Sequence, residues 1–187
     1  MKNKKLLFIT HAAAIAALYV VLTVASGPLA SYSPQVRFSE ALCVIAAFTP
    51  AAIPGLFIGC ALANLVTQAS VFDIVFGSLA TLIGAVGTYL LRNVALKVKW
   101  AGFVASIPPI VANTIIIPFV LVYAFKLEGT LIYHAAWVAL GEIISCGIIG
   151  TGLFYLLKRY GDKLGFKTKA DFENKNKATA DKSETVE

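Results

Sequence analysis

The chain has 187 residues, of which 58% are hydrophobic and 14% are charged, and its formal net charge is +6 at pH 7. This composition lies outside the range of soluble domains and indicates a membrane protein. The Lys and Arg residues stand in short clusters at the ends of apolar stretches, which is the pattern of membrane topology signals rather than of a nucleic-acid-binding surface.

Apolar stretches of membrane-spanning length follow one another along the chain, since a helix needs about 20 residues to cross the hydrocarbon. They are Leu6–Ala25, Leu42–Val71, Ile74–Leu91, Ala101–Phe125 and Leu131–Leu157. The second stretch is long enough for two short crossings with a bend at Thr49–Gly55, where Pro50, Pro54 and Gly55 occur. We therefore predict an all-α integral membrane protein built as a bundle of six transmembrane helices.

The basic clusters set the predicted orientation. They precede the first helix and follow the fourth and sixth: Lys2, Lys4, Lys5; Arg92, Lys97, Lys99; Lys158, Arg159, Lys163. Cytoplasmic loops carry an excess of such residues, so both termini are predicted to be cytoplasmic in a multi-pass plasma-membrane protein. Residues 1–165 form the predicted substrate-binding transmembrane domain. Residues 166–187 are rich in polar and charged side chains and form a predicted disordered cytoplasmic tail.

Several kinds of site are not indicated. Cys43, Cys60 and Cys146 lie inside apolar spans and are predicted to be packing residues, not disulfide partners. His11 and His134 are far apart, so no metal site is predicted. No nucleotide-hydrolysis motif occurs, and no nucleophile, base and orienting group recur at recognisable spacing. We expect a protein that is not an enzyme, binds no cofactor and leaves any ATP to a partner.

Glu142 is the clearest functional candidate, because an ionisable side chain near the middle of a bilayer usually faces a cavity and has a function. Counting about 1.5 Å per residue places Glu142 about halfway across. Asn113 lies at a similar depth on the neighbouring helix, so the two side chains are predicted to share a cavity. For Glu142 a ligand contact, a structural hydrogen bond and proton coupling all stay open.

Other polar and aromatic residues extend this predicted cavity towards the outer surface. His134 and Trp137 precede Glu142 on its helix, and Trp137 suits either stacking on a flat ring or interfacial anchoring. The outer ends of the other helices contribute Gln35, Arg37, Glu40, Asn64, Gln68 and Asp73. Arg37 and Glu40 instead suit a local ion pair, and Asp73 instead suits a helix cap.

Small residues on the first helix indicate close helix packing. Ala12 with Ala16, and Ala13 with Ala17, form small-x-x-x-small pairs, which allow another helix to approach closely. Spacing alone leaves open whether that helix belongs to this chain or to a partner.

Four sequence blocks stand out together: Gln35–Leu42 (QVRFSEAL), Phe48–Gly59 (FTPAAIPGLFIG), Asp73–Leu82 (DIVFGSLATL) and Gly141-Glu142. In combination they resemble the QueT family of queuosine-precursor transporters. The resemblance implies the substrate-binding S component of an energy-coupling factor (ECF) transporter. It also implies that Ala12, Ala13, Ala16 and Ala17 dock on a transmembrane T component, which rests on two cytoplasmic ATPases that bind ATP.

The resemblance further implies a 7-deazaguanine ligand, such as queuine or its aminomethyl relative preQ1. Glu142 would accept hydrogen bonds from the guanine-like edge or pair with an ammonium group, and Asn113 and Gln35 would contact the carbonyl side. Trp137 or Tyr32 would cover the ring, and the Ser26–Ser39 loop would act as a lid. The alternatives are a solitary proton-coupled transporter of a small polar heterocycle, an S component for another vitamin-like solute, and, ranked lower, a membrane-embedded hydrolase.

Overall fold

In a computed structural model of the chain, the structure describes residues 3–27, 36–95, 98 and 100–161. The regular structure of these residues is entirely helical, and no strand occurs among them. The helices are α1 (Lys4–Ser26), α2 (Phe38–Ala47), α3 (Ala52–Val66), α4 (Asp73–Ala95), α5 (Ala101–Ala124) and α6 (Leu131–Tyr160). The predicted all-helical class is confirmed.

The helices differ in length. Helices α1, α4, α5 and α6 are long and apolar enough to cross a membrane, whereas α2 and α3 are shorter. The long apolar stretch therefore divides in two, as predicted, with the chain turning between Phe48 and Ala51. Pro54 and Gly55 were predicted to lie in this bend but belong to the first turn of α3, where a proline costs no helical hydrogen bond. The six crossings and the cytoplasmic termini stay predictions.

Helices α1 and α3 approach each other through small residues. A Cβ atom added at Gly55 would lie 2.7 Å from the Ala12 carbonyl oxygen, and one added at Gly59 would lie 3.0 Å from the Ala16 Cα. Ala16 is buried, whereas Ala13 and Ala17 are exposed. The Ala12/Ala16 pair therefore packs against α3, whereas the Ala13/Ala17 pair is exposed on the surface of the chain.

Helices α4 and α5 make a second close contact. A Cβ atom at Gly84 would lie 2.7 Å from the Pro109 Cα, and one at Gly87 would lie 2.6 Å from the Pro108 Cβ. The Thr88 hydroxyl donates a hydrogen bond of 2.8 Å to the Ala105 carbonyl, which the proline at position 109 leaves without its usual helical donor. Glycine and proline are thus matched across this interface.

Helix α2 lies at the centre of the bundle. It is wound as a 3₁₀-helix, every residue from Ser39 to Ala47 is buried, and it contacts each of the other five helices. Gly150 of α6 packs against it, with a hypothetical Cβ 3.3 Å from the Val44 Cγ1. At the end of α2, the rings of Phe48 and Phe154 lie 4.8 Å apart between centroids.

The outer faces of the long helices are apolar. Large exposed hydrophobic side chains include Leu6, Ile9 and Val21 on α1, Leu90 on α4, Ile115 on α5 and Ile148 on α6. Apolar outer faces on a helical bundle are what a lipid environment requires. The predicted disordered tail at 166–187 and most of the predicted lid lie outside the described residues.

Candidate functional site

Two carboxylates meet at the centre of the bundle. Glu40, in the first turn of α2, is 2% exposed, and Glu142, halfway along α6, is 7% exposed. Both line an internal cavity of about 20 Å³. The other lining residues are Arg37, Gly77, Asn113, Ile117 and Val138. A basic residue, two acids and an amide therefore share a hollow whose remaining wall is apolar.

Asn113 of α5 joins the two carboxylates. Its Nδ2 atom donates a hydrogen bond of 2.9 Å to Glu142 Oε1 and a longer one of 3.5 Å to Glu40 Oε2. The prediction that Glu142 and Asn113 share a cavity is therefore confirmed, although their contact with a ligand stays a prediction. The depth count succeeded because both residues lie well inside long helices whose ends the apolar pattern defines.

Glu40 accepts further hydrogen bonds from three helices. The Tyr19 hydroxyl of α1 donates to Oε1, the Thr81 hydroxyl of α4 lies 3.4 Å from the same oxygen, and the Cys43 thiol of α2 lies 3.4 Å from Oε2. With Asn113, four donor groups surround this carboxylate. Such a shell fixes the orientation of the Glu40 side chain.

Among the described residues, Glu142 has fewer hydrogen-bond partners than Glu40. Besides Asn113, it contacts the Cys146 thiol, which lies 3.4 Å from Oε2. Its helix changes from α to the wider π form directly after it, at Ile143–Gly150. Such π segments often occur at functional sites. Ser106 of α5 holds this segment with a hydrogen bond of 2.6 Å to the Cys146 carbonyl. The Glu142 carboxylate is thus better placed than Glu40 to take a new partner.

Arg37 and Glu40 stand at the junction between the Ser26–Ser39 loop and α2. Arg37 lines the cavity, is half-buried, and lies within electrostatic range of Glu40 and Asp73. The loop ends are joined, because the Ser26 hydroxyl accepts a hydrogen bond of 3.2 Å from the Phe38 backbone amide and Thr23 donates one of 2.8 Å to Ser39. These bonds fix the start of α2, and hence Glu40, against α1.

The cavity between these groups is small. A volume of about 20 Å³ accommodates roughly one water molecule. Small-molecule sites are usually about 300–1,000 Å³. A heterocycle therefore requires the surrounding helices to move apart before it can contact both carboxylates.

The other predicted site residues that the structure describes are absent from the lining of this cavity. Asn64 is buried, but its Nδ2 atom donates to the Asp73 carbonyl at 3.0 Å. Gln68 is exposed in the turn after α3. His134 bonds the Glu128 carbonyl at 3.2 Å, and Trp137 packs edge-on against Tyr133. Gln35 and Tyr32 lie outside the described residues.

The capping role considered for Asp73 belongs to another residue. The Ser70 hydroxyl accepts hydrogen bonds from the backbone amides of Phe72 and Asp73, at 3.2 and 3.4 Å. Asp73 lies within the first turn that follows, where a carboxylate favourably meets the helix dipole. The sequence misled because Asp and Ser are both good caps and stand three residues apart.

Sequence reasoning missed Tyr19 and Thr81 as site residues and treated Cys146 as a packing residue. Tyr19 and Thr23 are polar residues one helical turn apart in the apolar outer half of the first span, and this was the available signal. The cysteine positions alone carried none. Glu40, Glu142 and Cys146 each offer a potential metal-ligand atom, all within 4.8 Å of one another. The absence of a metal stays a prediction.

Comparison with known proteins agrees with the resemblance in the sequence blocks. The chain is 41% identical over 85 residues to the queuosine precursor transporter QueT of Lactococcus lactis subsp. cremoris (strain MG1363). That match covers 44% of this chain and 50% of the relative, so the chain spans about half the length of the curated relative it matches. No solved structure matches the chain.

The family comparison covers most of the helical bundle. The family described as QueT transporter matches residues 9–159, which include all six helices except the ends of α1 and α6. This family and the curated relative are transporters, not enzymes. The chain belongs to the QueT transporter family.

Proposed function

We propose that this chain is the membrane-embedded S component of an ECF-type importer and binds a queuosine precursor, a 7-deazaguanine, from outside the cell. The observation that carries the proposal is the Glu40–Asn113–Glu142 cluster, buried between helices long enough to span a membrane. Buried ionisable groups inside membrane helices mark substrate pathways. The family match and the name of the curated relative supply the solute class.

The cluster suits the edge of a guanine-like ring. The Glu142 carboxylate can either accept two parallel hydrogen bonds from a ring N–H and an exocyclic amino group or, in a different pose, pair with the ammonium of a charged arm. The Asn113 amide, once released from Glu142, offers a donor and an acceptor to the carbonyl side. Ile117 and Val138 supply apolar walls for the ring faces. Gln35 and Tyr32 remain candidate contacts from the loop, and Trp137 is a candidate only if the helices rearrange.

The exposed alanine pair of α1 is the surface we assign to the T component. Ala13 and Ala17 are exposed at small-x-x-x-small spacing, so a partner helix can approach closely there. Ala12 and Ala16 hold α1 in place by packing on Gly55 and Gly59 of α3. The T component and two cytoplasmic ATPases would then provide the energy for uptake.

Ligand binding tests the site assignment. The purified full-length chain in lipid nanodiscs is titrated with 7-aminomethyl-7-deazaguanine by calorimetry. Glu142→Gln should weaken binding by about 10- to 100-fold, since hydrogen bonds to a charged group contribute about 1.5–3 kcal/mol. Glu128→Gln is the matched control, because Glu128 is exposed outside the cavity and its substitution removes the same charge. Equal affinity in parent and Glu142→Gln would refute the assignment.

Transport tests the S-component role. Uptake of the same compound is measured in vesicles that contain the chain alone and in vesicles that also contain an energy-coupling module with ATP. We expect uptake only in the second preparation. Uptake by the chain alone, driven by a proton gradient, would instead establish a solitary secondary transporter. Failure of any 7-deazaguanine to bind would point to an S component for another solute.

A further inference from the structure

The central cavity has an imbalance of charge. Glu40 and Glu142 both line it, and among the described residues that line it Arg37 alone carries a positive charge. Arg37 also lies within electrostatic range of Asp73 at the start of α4, so it interacts with an acid outside the cavity as well as with Glu40. The cavity therefore contains one more acidic group than basic groups, and this excess of acids is its imbalance.

The hydrogen-bond partners of the two carboxylates maintain this imbalance. Glu40 is surrounded by a phenol, a hydroxyl, a thiol and an amide N–H, and Glu142 by the same amide and a second thiol. All of these partners are neutral, so none of them adds a positive charge beside the two acids. The Thr81 hydroxyl lies nearer to the Gly77 carbonyl, at 3.0 Å, and the Cys146 thiol nearer to the Glu40 carbonyl, at 3.2 Å. Among the described residues that line the cavity, Arg37 is thus the one cation available to both acids.

The Asn113 amide nitrogen marks the place between them. Nδ2 lies 2.9 Å from Glu142 Oε1 and 3.5 Å from Glu40 Oε2, so a single nitrogen bridges both side chains. An amide fills this position with two N–H groups and no charge. An ammonium group at the same position would provide three N–H groups and one positive charge.

We propose that Glu40 and Glu142 together make this site selective for precursors with a positively charged arm at ring position 7, over neutral 7-substituted relatives. This inference rests on the proposed function and names the class of precursor that the site prefers. The ammonium of the arm would displace Asn113 from between the carboxylates and form charge-assisted hydrogen bonds with both. A neutral arm would leave the imbalance uncorrected in a medium where isolated charges are costly.

Three ligands of similar size separate charge from shape. They are 7-aminomethyl-, 7-hydroxymethyl- and 7-cyano-7-deazaguanine, and the first two differ by one heavy atom and the charge. Calorimetric titration of the full chain in nanodiscs should give an affinity for the aminomethyl compound about 10- to 100-fold higher than for either neutral compound. Glu40→Gln should reduce this preference to less than about threefold, while Glu128→Gln should leave it unchanged.

The possible outcomes distinguish this inference from the proposed function. Equal binding of the three compounds by the parent chain would overturn charge selection and leave the proposed function standing. Binding of none of them would overturn the proposed function as well. If Glu40→Gln does not fold, the comparison of the three compounds on the parent chain still tests whether the site selects a charged arm. A preference that persists in well-folded Glu40→Gln would overturn the role given to Glu40.

Discussion

The Tyr19 hydroxyl on α1 donates a hydrogen bond to Glu40 on α2, and so connects the helix with the exposed alanine pair to a carboxylate of the central cavity. Tyr19 is fully buried, and its Cβ packs beside Gly59 of α3. Its ring therefore fixes the α1–α3 interface while its hydroxyl orients Glu40.

Tyr19→Phe separates these two roles. The ring and its packing are retained, so the protein should fold. Loss of the hydrogen bond to Glu40 should lower the free energy of unfolding by about 1.5–3 kcal/mol. The affinity for a 7-deazaguanine should also fall, because Glu40 is less well oriented. Thermal unfolding and calorimetry on the same nanodisc sample measure both. Tyr133→Phe, at an exposed tyrosine, is the control. Unchanged stability and affinity would show that the hydroxyl is dispensable.

Gly59→Ala should destabilise the α1–α3 interface. The new methyl group would lie 2.8 Å from the Tyr19 Cβ and 3.0 Å from the Ala16 backbone, so the helices would have to separate. Overpacking of this kind costs about 1–3 kcal/mol. Gly152→Ala is the matched control, since nothing lies within 4 Å of the added methyl group there. The two midpoints of thermal unfolding are compared, and a Gly59→Ala midpoint equal to or above that of Gly152→Ala would contradict the packing described.

Substitutions in the two alanine pairs should have different effects. Ala13→Leu with Ala17→Leu alters only exposed surface, so we expect normal folding and ligand binding but loss of co-purification with the T component. Ala16→Leu should instead impair folding, because Ala16 is buried against Gly59. Ala14→Leu serves as the exposed control on the same helix. Intact co-purification of the Ala13/Ala17 double variant would place the docking surface elsewhere.

Ser106→Ala should loosen the π segment of α6. The Ser106 hydroxyl bonds the Cys146 carbonyl at 2.6 Å, and both residues are fully buried. Its removal leaves that contact unmade and should cost about 1 kcal/mol in stability. Hydrogen exchange of amides in Ile143–Gly150 should accelerate. Thr10→Ala, which removes an exposed hydroxyl that bonds within α1, should leave exchange in this segment unchanged. Equal rates of amide hydrogen exchange in both variants would contradict the role given to the Ser106 hydrogen bond.

The apolar pattern predicted the helices well, because the length of each span follows from the thickness of a bilayer. The predicted Ala101–Phe125 span differs from α5 by one residue at its end. Depth along a helix also predicted that Glu142 and Asn113 lie close together. The direction in which a residue faces about the helix axis was predicted less well. Asn64 has a suitable depth but faces the start of α4, and the cavity begins at Val138, one residue beyond Trp137.

The sequence could not reveal contacts that depend on tertiary packing. Nothing in the pattern around Glu40 shows that Tyr19, Thr81 and Cys43 converge on it, since Tyr19 and Thr81 come from other helices. Nor does the apolar run after Glu40 predict a 3₁₀-helix buried on every side. Local helix preference and bundle packing together determine these features, and a single sequence reveals only the local preference.

The central position of α2 limits how the molecule can open. Glu40 belongs to a helix that adjoins all five others, so a displacement of α2 that makes space for a solute would alter its contact with each of them. The position of α1, which carries the exposed alanine pair, would then respond to ligand binding in the cavity.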